Sequence, residues 1–374
     1  MPTKAGVYLH IPFCRSRCSY CDFATDVWRS AGAVERYVRA LTREIQESKV
    51  EDQKLVDTIY FGGGTPSLLE PAQVKRILDT VRDRFDIASD AEITMEMNPA
   101  TVSGGPLAGY RELGVNRASF GVQTFNDRDL KLLARGHDAN DARETFRLLR
   151  EAGFANVSFD LIAGLPGQSL DDWERNLDEA LTMQPEHLSL YLLEIHEGTP
   201  LAEQLRSGRR PMPDEDEAAA MYEVLLDRAA EAGYEQYEIS NFAKQGFESR
   251  HNTKYWRLEP VYGFGVSAHS FDGFERYWNE RDTARYVELI DERSAVVGRE
   301  PTNAASEFVF LGLRMTAGLS LSRYRERFGT DLSKARGLEL ARLVNDGLVE
   351  LSDETLKLTR RGMLFSNEVF AVFV

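Results

Sequence analysis

Short apolar runs rich in β-branched and aromatic residues alternate along the first half of the chain with longer segments whose apolar positions recur every three or four residues. The runs at 7–11, 56–61, 92–97, 117–122, 157–162 and 187–193 read as strands. Between them, 34–47 carries Val34, Tyr37, Val38, Leu41 and Ile45 at helical spacing, and 71–85 carries Val74, Ile77, Leu78 and Val81. Helices are also expected at 127–133, 138–152 and 170–183. Six strand–helix units in a row imply a parallel sheet with helices outside it. We read them as a six-stranded partial (β/α)6 barrel, an α/β fold whose active site lies at the C-terminal ends of the strands.

The pattern then changes. A helix at 213–232 opens on acidic residues suited to a helix N-terminus. The stretch from Tyr237 to Gly265 is rich in aromatics and lacks helical spacing, so we expect strands and loops closing one side of the barrel. Beyond 302, helical segments at 307–315, 322–328 and 334–346 precede short strands at 348–351 and 356–358 and a last helix at 360–370. That order divides the chain into a barrel with its aromatic extension, 1–301, and a winged-helix-like α+β domain, 302–374. Winged helices often bind DNA, but fold does not fix function, and we read this one as a structural or partner-facing lid.

Composition narrows the class. The chain has 374 residues, 43% of them hydrophobic, enough for a substantial core. No apolar run reaches the length of a membrane span, and the N-terminus passes almost directly into a strand without a targeting segment, so the expected location is the cytoplasm without stable membrane insertion. The net charge of −15 argues against a nucleic-acid substrate, which usually leaves a basic footprint. Whether the protein is a monomer or a homodimer is open.

All three cysteines, Cys14, Cys18 and Cys21, fall in one loop just after the first strand, spaced Cys-x3-Cys-x2-Cys. Three thiolates so close suit a single soft metal centre. A four-iron cluster held by three of them keeps one iron open to a small molecule. A zinc site completed by His10 or a distant residue fits the same spacing. An odd count without a secretory signal disfavours a disulfide.

Polar residues recur at or near the ends of the other strands. Gly62, Gly63, Gly64 and Thr65 follow the second, where glycines let a backbone approach a ligand or simply make a tight turn. Glu96, Gln123, Arg135 and Asp160 sit at or after later strand ends. Singly, each suits a solvated loop or an ion pair; together they offer two acceptors for ribose hydroxyls, an amide and a guanidinium able to bind a carboxylate.

The cysteine loop and the Gly-Gly-Gly-Thr-Pro-Ser segment resemble those of the radical S-adenosylmethionine superfamily, and the likeness runs over nearly the whole chain. It implies a [4Fe-4S] cluster on Cys14, Cys18 and Cys21 whose free iron is chelated by the amino and carboxylate groups of S-adenosylmethionine. Within the superfamily the chain is similar to the coproporphyrinogen III dehydrogenase branch. There the positions matching Tyr8, Tyr20, Gly63, Gly64, Thr65, Glu96, Gln123, Arg135 and Asp160 contact S-adenosylmethionine.

Two functions are found in that branch. The oxygen-independent oxidase has a fourth cysteine two residues after the third, where this chain has Phe23, and an N-terminal extension before the position of Tyr8. The sister group of haem chaperones, like this chain, reads Cys-Asp-Phe there and carries a His-Asn-x-x-Tyr-Trp segment implicated in haem binding. Here that segment is His251-Asn252-Thr253-Lys254-Tyr255-Trp256. An imidazole can ligate haem iron and aromatics can pack the macrocycle, although a histidine among aromatics is also a common hydrogen-bonded core residue. The resemblance therefore implies haem and haem-acceptor apoproteins as partners. The alternatives are oxidative decarboxylation of coproporphyrinogen III and, more remotely, tRNA modification.

Overall fold

The computed structural model describes residues 4–28, 30–50 and 54–374. Six strands follow the expected order: β1 (Ala5–Ile11), β2 (Leu55–Gly63), β3 (Asp86–Met97), β4 (Arg117–Gln123), β5 (Val157–Ala163) and β6 (His187–Leu192). Each pairs in parallel with the next, from β1·β2 through β5·β6. Helices α1 (Ala31–Glu47), α2 (Pro71–Arg84), α3 (Gly104–Glu112), α4 (Asp127–Leu132), α5 (Ala139–Glu151) and α6 (Leu170–Met183) make the crossovers. The expected α/β architecture is present.

Alternation along the strands divides the sheet into two chemistries. Val7, Leu9 and Ile11, Ile59 and Phe61, Phe120 and Val122, and Phe159 and Leu161 face the helices and join the main hydrophobic core. The other face is set by register: Gly6 opposes Thr58, Tyr8 opposes Tyr60, Glu96 opposes Ser119 and Asp160 opposes Ser189. Closed barrels of this kind fill their interior mainly with branched aliphatics. This interior is instead polar and aromatic.

The sheet extends further than the sequence pattern suggested. After α7 (Pro200–Arg206) and α8 (Glu215–Glu231), β7 (Glu235–Glu238) and β8 (Asn241–Ala243) continue it antiparallel beyond β6. On the other side β9 (Val261–Phe264) runs parallel to β1, a seventh parallel strand among the described residues. Strands β10 (His269–Phe271), β11 (Glu275–Asn279) and β12 (Val296–Pro301) continue antiparallel from there, giving twelve strands among the described residues.

Two local readings need correction. The start of β3 lies at Asp86 rather than at residue 92, because the exposed polar residues Asp86, Ser89 and Asp90 interrupt the apolar pattern there. The His251 segment is not strand or loop but a short helix, α9 (Arg250–Trp256), capped by the Ser249 side chain, which accepts from the Asn252 N–H. Seven residues are two turns, and the buried positions are the polar His251, Thr253 and Lys254, so no apolar stripe marks it as a helix.

A second core gathers Val309, Leu313, Leu319, Tyr324, Leu340, Leu343, Leu356, Leu358 and Val369, with Ile239 reaching in from the barrel side. It is built around α11 (Ala304–Leu313), preceded by α10 (Thr283–Glu292), and a three-stranded antiparallel sheet in which Thr355–Leu358 lies between Leu319–Ser320 and Val349–Ser352. Among the described residues no helix is long and apolar enough to cross a membrane.

Candidate functional site

The cysteine loop leaves β1 and is tied down along its length. His10, the last inward residue of β1, reaches the Ala24 carbonyl through Nε2 at 2.9 Å, and the Tyr8 hydroxyl lies 3.1 Å from its Nδ1. The Ser19 N–H and hydroxyl donate to the carbonyls of Leu133 and Leu132, each at 2.9 Å, and the Leu201 N–H donates back to the Ser19 carbonyl at 2.8 Å. Tyr20 packs on the small apolar cluster of Leu132, Leu133, Ile162, Leu165, Leu201 and Leu205. The loop is thus pinned at the C-terminal mouth of the barrel by α4 and α7.

All three cysteines are free and half-buried. Burial pushes the Cys14 thiol up to about 11, opposed by the Thr65 hydroxyl, whose Oγ1 stands 3.6 Å from Cys14 Sγ. Burial also raises Cys21. Arg135 Nη1 donates to Cys18 Sγ at 3.4 Å. Both ring nitrogens of His10 are engaged, and burial lowers its pKa to about 4. The His10 completion of a zinc site therefore has no lone pair ready for metal. Among the described residues no three His, Cys, Asp or Glu side chains converge closely enough for a single metal ion. A cubane cluster binds its thiolates at separate corners and tolerates that spread.

The triple glycine works through its backbone. The Gly64 and Thr65 N–H groups donate to Ile11 and Phe13 carbonyls at 2.8 Å, binding this turn to the cysteine loop. Gly63 has φ +107°, and a Cβ there would lie 2.6 Å from the His10 ring, so only glycine fits. Its N–H donates to Glu96 Oε2 at 3.0 Å, while the Tyr60 hydroxyl donates to Glu96 Oε1 at 2.8 Å. Burial, opposed by the Tyr60 hydrogen bond, leaves Glu96 raised to about 7.

Asp160 lies on β5, one strand beyond Gly121, half-buried. Burial raises its pKa against the hydroxyls of Ser189 and Ser119. Gln123 ends β4 in a left-handed conformation, φ 65°, at a bulge that turns it inward. Arg135 is not the open carboxylate fork its sequence position suggests: Nη2 donates to Asn98 Oδ1 at 2.8 Å and to the Gly121 carbonyl at 2.7 Å. It braces the cysteine loop against the strand ends and sets a positive charge beside the thiols. Asn98, which also donates to Thr65 Oγ1 at 2.7 Å, escaped the sequence reading. Its position directly after the Glu96 strand was the available signal.

His251 lies in the same interior. It is 1% exposed, with Nδ1 2.9 Å from Thr58 Oγ1 and Nε2 3.2 Å from the Tyr255 hydroxyl. Its ring stacks on Tyr60 at 5.0 Å and lies 6.4 Å from Tyr8. Gly6 makes room: a Cβ there would stand 3.2 Å from the imidazole. Burial, reinforced by Lys254 and Arg117, lowers its pKa to about 3, so the ring is neutral. A neutral imidazole can bind iron once one of its two hydrogen bonds is released, and that to Tyr255 is the longer. Of the other histidines, His269 stacks on Trp278, and His196 stands 3.6 Å from Glu194 in an exposed pair.

From the mouth downward the interior thus holds three thiols, an acceptor set of Glu96, Gln123 and Asp160, a stack of Tyr8 and Tyr60, and His251. A family described as the Radical SAM superfamily matches residues 8–180, and the HemN C-terminal domain matches residues 300–365. The chain is 39% identical to the heme chaperone HemW of Bacillus subtilis, with 99% of each chain covered. It is 37% identical to the heme chaperone HemW of Mycobacterium tuberculosis, over 97% of this chain and 93% of that one. Among solved structures it resembles coproporphyrinogen III oxidase (HemN) from Escherichia coli, a radical SAM enzyme, with a TM-score of 0.87 and 26% identity, covering 100% of this chain and 91% of that one.

Proposed function

The chain belongs to the radical SAM superfamily, in the family of the heme chaperones named HemW, and from that premise we propose that it is a cytoplasmic carrier that binds haem and hands it to acceptor apoproteins. The observation that carries the reading is likeness to a haem chaperone at 39% identity over 99% of both chains. The barrel supports it with a buried, neutral imidazole set among Tyr8, Tyr60 and Tyr255.

In this reading Cys14, Cys18 and Cys21 hold a [4Fe-4S] cluster, which supplies an iron-centred site with one position open to S-adenosylmethionine. Thr65 and Arg135 donate to two of the sulfurs and temper their charge. Cys14 and Cys21, whose thiols burial raises, would give up their protons on binding the cluster. Tyr8, Tyr20, Gly63, Gly64, Glu96, Gln123 and Asp160 would hold S-adenosylmethionine, with Glu96 and Asp160 accepting from its hydroxyls or amino group; Gly63 and Tyr60 hold the Glu96 carboxylate in place. His251 offers one nitrogen to haem iron while the other keeps the ring oriented.

The alternative is the reaction of the structural relative, oxidative decarboxylation of coproporphyrinogen III, and the 0.87 TM-score speaks for it. Against it stands Phe23, 67% exposed at the place of the oxidase's fourth cysteine. Anaerobically reconstituted protein assayed with coproporphyrinogen III beside a haem titration separates the two: the carrier reading requires haem binding and no protoporphyrinogen IX.

A further inference from the structure

Arg117 stands apart from every other charge in the barrel. It opens β4 on the inner face, opposite Thr94, and is 1% exposed. Among the described residues it makes no hydrogen bond or ion pair, and its Nε is fully buried without a partner. The other buried cation among them, Lys254, is held by Asp57 at 2.7 Å and Glu259 at 3.2 Å. An unpaired guanidinium deep in a protein is costly. Folds keep such a group where a ligand completes it.

The nearby acids do not complete it. Glu96 is held by Tyr60 and Gly63, and Asp160 by Ser189 and Ser119. Arg117 nevertheless lies close enough to act electrostatically on Glu96, Asp160, His187 and His251, so it borders the same interior as the imidazole. That interior is open at the strand ends, where Glu96 and Asp160 are half-buried and Tyr191 is 41% exposed. A guanidinium on the inner face of β4 with its Nε unpartnered is suited to a carboxylate.

We propose that Arg117 is the carboxylate anchor of the barrel interior, receiving a carboxylate of the ligand seated against His251, which is a propionate when that ligand is haem. The proposal rests on the haem-carrier reading. The other source of a carboxylate is S-adenosylmethionine, whose methionine end the open iron of the cluster would hold at the cysteine loop.

The test uses full-length, cluster-reconstituted protein as wild type, Arg117→Gln, Arg117→Lys and His251→Ala. Each is titrated spectrophotometrically with haem and with haem dimethyl ester, whose propionates carry no charge, and with S-adenosylmethionine and its decarboxylated form. Wild type should prefer haem over the ester by roughly ten- to hundredfold, as a charged hydrogen bond allows. Arg117→Gln should bind both at the ester's level, Arg117→Lys should keep part of the preference, and His251→Ala should weaken both while keeping it. The unfolding midpoint of Arg117→Gln should not fall, since a purely structural arginine would lower it and an unpaired one would not. Wild-type preference retained in Arg117→Gln overturns the anchor while leaving the carrier intact, as does equal binding of haem and ester by wild type. A loss confined to discrimination between the two S-adenosylmethionine forms overturns the propionate assignment. Absence of any haem binding by wild type overturns both readings.

Discussion

The His10 imidazole and the Ala24 carbonyl, 2.9 Å apart, join the last turn of the cysteine loop to the first barrel strand. The Tyr8 hydroxyl on the other ring nitrogen fixes which way the ring faces, so a residue that spacing alone offered as a metal ligand instead clamps the loop that carries the thiols.

Replacing His10 with Ala should leave the Ala24 carbonyl without its partner and loosen the loop, at a cost of about 1–3 kcal/mol locally. Iron and sulfide per chain after anaerobic reconstitution should fall from about four of each, the content of the cluster type, and the brown colour should bleach faster in air. Full and stable iron–sulfur content in the variant would show that the clamp is dispensable. Stoichiometric zinc without sulfide in the wild type would refute the cluster itself.

In the proposed reading Asp160 would accept from S-adenosylmethionine, and it makes no hydrogen bond to a thiol. Asp160→Ala should therefore weaken S-adenosylmethionine binding by about tenfold or more, with the cluster absorbance unchanged. Calorimetry on the reconstituted proteins measures this, and equal affinity in the two would remove Asp160 from the site.

Glu44 gives a pH signature that involves no thiol. It is buried, accepts from the Gly265 N–H at 2.8 Å, Asn279 Nδ2 at 2.6 Å and the Tyr286 hydroxyl at 2.6 Å, and burial still raises it to about 7. The folded state thus holds this proton over a range where the unfolded chain, near 4.3, has lost it. The stabilisation is complete below the unfolded value and is lost as pH rises towards about 7. The stability of wild type relative to Glu44→Gln should fall by a few kcal/mol, on the order of the shift, between pH 5 and 8 in urea unfolding. A flat difference would mean that Glu44 titrates normally.

Local spacing made part of this readable in advance. Cys14, Cys18 and Cys21 lie in one loop, and the six leading strands each carry an apolar half that packs on helices. The inner face was harder to read, because Thr58, Tyr60, Ser119 and Arg117 look in sequence like ordinary polar alternates of strands. Only closure of the sheet turns them toward one another. The strand Val261–Phe264 went unplaced because its partner, β1, lies some 250 residues earlier, and no local pattern announces that pairing. Arg135 stands out in the sequence as a guanidinium after a strand end, but its commitment to Asn98 and the Gly121 carbonyl depends on contacts that only the fold creates.

Haem transfer tests the central claim most directly. Reconstituted protein loaded with one haem is mixed with an acceptor apoprotein whose activity needs haem, in parallel with His251→Ala and with a coproporphyrinogen III assay. Wild type should bind haem, activate the acceptor and form no protoporphyrinogen IX; His251→Ala should lose most haem affinity and transfer while keeping its cluster, since no thiolate is disturbed. Protoporphyrinogen IX produced by wild type, with no activation of the acceptor, would contradict the account.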